Sequence, residues 1–130
     1  MASDANVIIQ PVLHYRDPAA ALRFLTEAFG FHEQAVHKGP DGEIGYVELE
    51  YGGCHFGFGR TAEGGSPFDL GPTAVYMALD DVDAHHDRAV AAGAEIVMGL
   101  TDQDYGSRDY AARDPEGNVW CFGTYRPGPS

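Results

Sequence analysis

Apolar and polar residues change their period several times along the chain, and each change marks an element. Val7-Ile8-Ile9 leads through Val12, Leu13 and Tyr15 as one β-prone run over 7–15. Pro11 lacks an N–H, so it places that run at a sheet edge or a bulge. Asp17-Pro18 then supplies an N-cap and a first-turn residue. Leu22, Leu25 and Phe29 recur at helical spacing, and Gly30 ends the helix with a left-handed cap. A second strand is predicted over 31–36, followed by the hairpin turn Gly39-Pro40-Asp41-Gly42. From 44 to 51, Tyr46, Glu48 and Glu50 alternate with Val47, Leu49 and Tyr51, the period of a half-buried strand. Gly52-Gly53 turns into a fourth strand over 54–59.

Residues 60–72 are rich in Gly and Pro and have no periodicity, which marks a linker. The same order of elements then returns. A strand over 73–79 precedes a helix capped by Asp80-Asp81, with Val82, Ala89, Val90 and Ala92 expected inward and Gly93 as the stop. His85 and His86 sit mid-helix before Asp87, and one or both are read as solvent-facing. A strand over 94–98, a loop over 102–107 and a strand over 108–113 lead to Asp114-Pro115-Glu116-Gly117-Asn118, whose Asp, Pro and Gly suit a type I turn. The last strand carries Val119, Trp120, Cys121 and Phe122, and 126–130 reads as a frayed tail. At an offset of 64 residues, Asp17 matches Asp81, Tyr46 matches Tyr110, and Gly53, Phe58 and Gly59 match Gly117, Phe122 and Gly123. The chain is a duplication: one βαβββ module over about 7–59, a linker over 60–72, and a second module over about 73–125.

Composition narrows the class without naming a function. Hydrophobic content of 44% with 22% charged is that of an ordinary globular domain. No apolar run reaches the ~20 residues that span a bilayer, and the first residues lack the basic and apolar regions of a signal peptide. Two cysteines and no export signal predict a reducing, cytoplasmic setting. A net charge of −12 argues against nucleic acid as a partner. It would favour a cationic ligand, or it serves solubility alone.

The segments YRDPAAALRFLTEAFGF, DDVDAHHDRAVAAGAEI and YAARDPEGNVWCFGTY resemble the vicinal oxygen chelate superfamily. Glyoxalase I, extradiol dioxygenases and the bleomycin-resistance binding proteins belong to it. The resemblance runs from Val7 to Tyr125. It implies an α+β fold in which the two modules form a cupped, mostly antiparallel eight-stranded sheet, with helices outside and a cavity on the concave side. It also implies a homodimer. Catalytic members carry metal donors on the first and last strands of each half, which by this likeness fall on Gln10, Gly57, Ala74 and Cys121. Gln10 alone bears a side chain known to serve there, so neither a metal nor another cofactor is expected. A slip of two residues on the fourth strand would bring His55 to the donor position, with Gln10 and Cys121.

No Gly-x-Ser-x-Gly elbow, phosphate-cradling loop or Cys-x-x-Cys pair is present. Cys121 reads as a small buried residue rather than a nucleophile, and a Cys54–Cys121 disulfide is not expected, so no catalytic residue is assigned. What remains is a ligand surface. Alternation places His14 with Gln10 and His55 with Gly57, and Tyr46, Tyr76, Tyr110 and Cys121 complete the candidate ligand-binding set. The expected function is metal-free binding of a cationic or aromatic small molecule, such as an antibiotic. A metal-dependent lyase, isomerase or dioxygenase is the alternative.

Overall fold

The structure is a computed structural model that describes residues 10–65, 67, 69 and 71–125. Val7, Ile8 and Ile9 of the expected opening run and the tail from Arg126 lie outside the described residues. The elements follow the order β1 (Val12–Tyr15), α1 (Pro18–Phe29), β2 (His32–Lys38), β3 (Ile44–Tyr51), β4 (Cys54–Arg60), β5 (Ala74–Ala78), α2 (Val82–Ala91), β6 (Glu95–Asp102), β7 (Arg108–Arg113) and β8 (Val119–Gly123). Both helices begin as their sequences dictate. The Asp17 carboxylate accepts from the Ala20 N–H at 3.1 Å and Asp81 accepts from the Ala84 N–H at 3.0 Å. Gly30 ends α1 at φ 84°, a conformation that costs a glycine nothing.

The architecture is α+β, with the eight strands arranged as two mixed four-stranded sheets ordered β1-β4-β3-β2 and β5-β8-β7-β6. Neither sheet is closed, and among the described residues no strand pairs across from one to the other. In each sheet the first strand runs parallel to the last, while the remaining neighbours are antiparallel. No helix among the described residues is long and apolar enough to cross a membrane.

The duplication holds in the parallel pairs and slips in the hairpins. Val12 faces Gly57 in the first sheet, and Tyr76 faces Cys121 in the second, so the offset of 64 is kept. In the antiparallel pair, however, Tyr46 faces Gly59, whereas Gly123 is faced by Asp109 and Tyr110 faces Phe122. The first hairpin closes over Gly52-Gly53 between Tyr51 and Cys54; the second closes over 114–118 between Arg113 and Val119. An even loop has become an odd one. A shift of one residue turns every side chain of a strand to the opposite face.

One face of each sheet joins a single core with the helices, including Tyr15, Leu25, Phe29, Val47, Leu49 and Phe58 from the first half and Tyr110, Trp120 and Phe122 from the second. Phe29 of α1 packs its ring against Trp120 at 5.5 Å and Phe122 at 4.8 Å. Since alternate strand residues point to opposite sides, the other face of each sheet turns away from this core.

Helix α2 departs from its expected stripe. Val82, His85 and Ala89 are buried, while Val90 is 49% exposed. Spacings of three and four from Val82 reach His85 and Ala89; Val90 lies a further 100° round the helix. Of the two histidines, one or both of them expected in solvent, it is His85 that fills the core position. Its Nε2–H donates to the Phe29 carbonyl at 2.7 Å, which leaves Nδ1 to accept from the Tyr110 hydroxyl at 2.6 Å. His86 stays half-buried beside Asp87. Arg88 donates from Nε to the Glu27 carbonyl and from Nη2 to the Thr26 carbonyl, at 3.0 and 3.1 Å. One helix thus satisfies the orphan carbonyls at the end of the other.

The second junction between modules is the turn after β7. The buried Asp114 carboxylate accepts from the Tyr15 hydroxyl at 2.6 Å, Trp120 Nε1–H at 3.1 Å and Asn118 Nδ2–H at 3.0 Å. Two residues on, Glu116 accepts from the Arg16 and Asp17 N–H groups at 2.7 and 2.8 Å, seating the turn on the β1–α1 corner. Burial, together with the Asp114 carboxylate, keeps the Tyr15 phenol protonated far above its ordinary range.

Replacing Asp114 by Ala strands two donors from different modules in the core and is expected to cost about 3 kcal/mol or more, against about 1 kcal/mol for Tyr15→Phe. Urea unfolding checks both. Burial, with help from the Arg88 guanidinium, pushes the His85 imidazole below its ordinary 6.5 despite the bond to the Phe29 carbonyl. The unfolded chain then binds the proton more readily than the folded one. The contribution of His85 is complete above about pH 6.5 and is lost as pH falls below it. Unfolding free energy should drop as pH falls below about 6.5, and His85→Phe should lessen that slope even though it is less stable at neutral pH.

Candidate functional site

The faces turned away from the core carry the chemistry. On the first sheet the register brings Val12, His14, Tyr46, Glu48, Gly57 and Gly59 to one side. Gln10 reaches over this surface, donating from Nε2 to the Tyr46 hydroxyl at 2.8 Å. The pair lies across Gly57: a Cβ there would stand 2.4 Å from Tyr46 Oη and 2.7 Å from Gln10 Nε2. His14 is held by Asp69 of the linker, Nδ1 to Oδ1 at 2.7 Å, and its ring covers Gly59. His55 sits at the margin with Nδ1 3.0 Å from Gln34 Oε1. The sequence-predicted Gln10, His14, Tyr46 and Gly57 are therefore neighbours, with His55 to one side.

The corresponding face of the second sheet carries Tyr76, Asp109, Ala111, Cys121 and Gly123. Asp109 is buried and accepts from the Ser107 hydroxyl at 2.5 Å and the Tyr105 hydroxyl at 3.0 Å. Tyr76 donates its hydroxyl to the Tyr125 carbonyl at 2.7 Å. A Cβ on Gly123 would meet Asp109 Oδ1 at 1.9 Å and Tyr76 Oη at 2.8 Å, so glycine is what admits the carboxylate. Burial, with the Asp109 carboxylate near, pushes the Cys121 thiol up. Both cysteines are free. Of the expected residues, Tyr76 and Cys121 share this face. Tyr110 does not: the one-residue slip turns it into the core against His85, and Asp109 takes its place. Asp109, Ser107 and Tyr105 escaped the sequence reading because nothing in the repeat shows that the register of the second hairpin has slipped by one residue.

The four family donor positions do not fit a divalent metal. Gln10 is bonded to Tyr46, Gly57 and Ala74 offer no donor, and Cys121 is a thiol that holds its proton. Among the described residues no three His, Cys, Asp or Glu side chains gather as a metal set. A separate groove of about 1140 Å³ opens between the modules, with Phe56, Val75, Met77, Trp120 and Arg88 in its walls. It takes in His55 and Tyr76 but none of the four donor positions.

The model of the glyoxalase/bleomycin resistance protein/dioxygenase superfamily matches residues 8–122. The chain belongs to that superfamily. TioX from Micromonospora sp. ML1 is 32% identical, with a TM-score of 0.80 over 93% of this chain and 100% of that one. The uncharacterized protein Rv0887c of Mycobacterium tuberculosis (strain ATCC 25618 / H37Rv) is 33% identical over 95% of this chain and 77% of its own length. A lactoylglutathione lyase from Agrobacterium tumefaciens shares the fold at a TM-score of 0.70 and 23% identity, covering 93% of this chain and 95% of that one.

The two glycines under these faces should respond differently to a methyl group. Gly57→Ala meets the free ends of two side chains and should cost less than about 1 kcal/mol while breaking the Gln10–Tyr46 bond. Gly123→Ala meets a carboxylate held by two hydroxyls and should cost about 2 kcal/mol. Urea midpoints of the two variants give the comparison.

Proposed function

We propose that this protein is a metal-free binder of a small aromatic or cationic molecule, held on the sheet faces that turn away from the core. The observation that carries the reading is the state of the family donor positions. Where a catalytic relative would need three converging donors, this chain has a glycine floor crossed by the Gln10–Tyr46 bond, an alanine and a protonated thiol. Small residues leave depth for an organic ligand, and tyrosines at the rim offer flat surfaces with a polar tip.

A second copy fits this picture. Each face is one wall of a site, and in a single chain the shared core keeps the two walls apart. We propose a homodimer in which the first-sheet face of one chain meets the second-sheet face of the other. Such a cavity would still hold Gln10 and Cys121 as its only side-chain donors among the four positions.

Thermal unfolding with a panel of ligands tests the reading. A planar cationic or uncharged aromatic compound at a hundredfold excess over its Kd should add about 2.7 kcal/mol of stability. Zn, Ni and Mn should leave the melting temperature unchanged. Metals that raise it, with no organic compound doing so, would favour the lyase or dioxygenase reading. Light scattering should give twice the chain mass of 14.0 kDa.

A further inference from the structure

On the second-sheet face, a buried carboxylate lies among exposed aromatic rings. Asp109 is only 3% exposed, and it accepts hydrogen bonds from the hydroxyls of Ser107 and Tyr105. Among the described residues no Lys, Arg or His reaches it within ion-pair distance. Taking a carboxylate out of water is costly when no opposite charge repays it. Two hydroxyls occupy one acceptor site on each oxygen and leave the others unused. The fold nonetheless makes room for this group, since any side chain at 123 would collide with Oδ1.

Around it stand three tyrosines that the core does not use. Tyr105 is 67% exposed, Tyr125 51% and Tyr76 38%. The rings of Tyr105 and Tyr125 meet edge-on with centroids 6.0 Å apart, and Tyr76 is tied to Tyr125 through its carbonyl. Electron-rich ring faces beside a desolvated carboxylate attract one kind of group, an ammonium ion with a modest hydration shell. Hydroxyl donors on Asp109 hold the carboxylate in place without cancelling its charge. We propose that Asp109, Tyr76, Tyr105 and Tyr125 form a subsite for a substituted ammonium group, the positively charged end of the ligand. The inference rests on the binding reading above and adds to it where the charge goes.

Choline and its uncharged isostere 3,3-dimethyl-1-butanol separate charge from shape. In 1H–15N spectra of the full chain, choline should shift the signals of Tyr76, Asp109, Tyr105 and Tyr125, and the isostere should shift them far less. Asp109→Asn keeps the size and one accepted hydroxyl bond, its new N–H group donating to the other hydroxyl instead, and it should weaken choline binding about tenfold or more. Tyr105→Leu removes an exposed ring, which spares the fold, and should weaken binding severalfold. Equal shifts by the two compounds, or unchanged binding by Asp109→Asn, would overturn the subsite. So would choline binding seen only with Arg126→Gln, which would make Arg126 the partner of the carboxylate. Uncharged aromatic compounds titrated in parallel, with Gly57 and Gly59 signals as the readout, report on the broader binding reading alone. If those signals move and choline moves nothing, the ammonium subsite fails while the binder stands.

Discussion

The fold depends on one carboxylate. Asp114 sits in a turn of the second module and gathers hydrogen bonds from Tyr15 of the first module and from Asn118 and Trp120 of its own. A buried carboxylate surrounded by neutral donors is stable only while every donor is in place. The same contact fixes the turn, the indole of Trp120 and the edge strand β1. Trp120 is then positioned to receive Phe29 and Phe31 of the first module on its ring. Fixing this turn therefore aligns the core that both sheets share.

The opposite side of the module junction works by a different device. There α2 donates side-chain N–H groups of His85 and Arg88 to the last carbonyls of α1. Between them, the turn and the helix cap hold both ends of α1 against the second module. The outward face of each sheet is placed by the same two contacts, since it is set by the sheet behind it.

Local chemistry made most of the fold legible. Asp17 and Asp81 cap helices as their position before a helical stripe requires, and the alternation of Tyr46, Glu48 and Glu50 with Val47 and Leu49 maps onto two faces of β3. The hydrophobic stripe of α2 was misread for a physical reason. Its core position is a histidine, and a neutral imidazole with both nitrogens bonded packs as well as an aromatic ring. The candidate site was legible in its first half, where Gln10, His14, Tyr46 and Gly57 are neighbours by strand alternation alone. In its second half the pattern misled, since identity between Tyr46 and Tyr110 concealed a change of register. Facing residues across a hairpin depend on the turn, and five residues that bond end to end, Asp114 N–H to the Asn118 carbonyl, set a parity that composition does not reveal.

That change of register has a meaning beyond this chain's geometry. Copying a gene segment yields two identical surfaces, and point substitutions make them differ one side chain at a time. A one-residue slip in the register of a hairpin exchanges the whole outward row of a strand for its inward row at once. Here it puts an acidic side chain on the sheet face where the other copy has a tyrosine, and turns the second tyrosine inside to bind a histidine. Two copies of one module thereby present unlike faces. A site built from unlike walls can tell the two ends of an asymmetric molecule apart, which a site built from identical copies cannot.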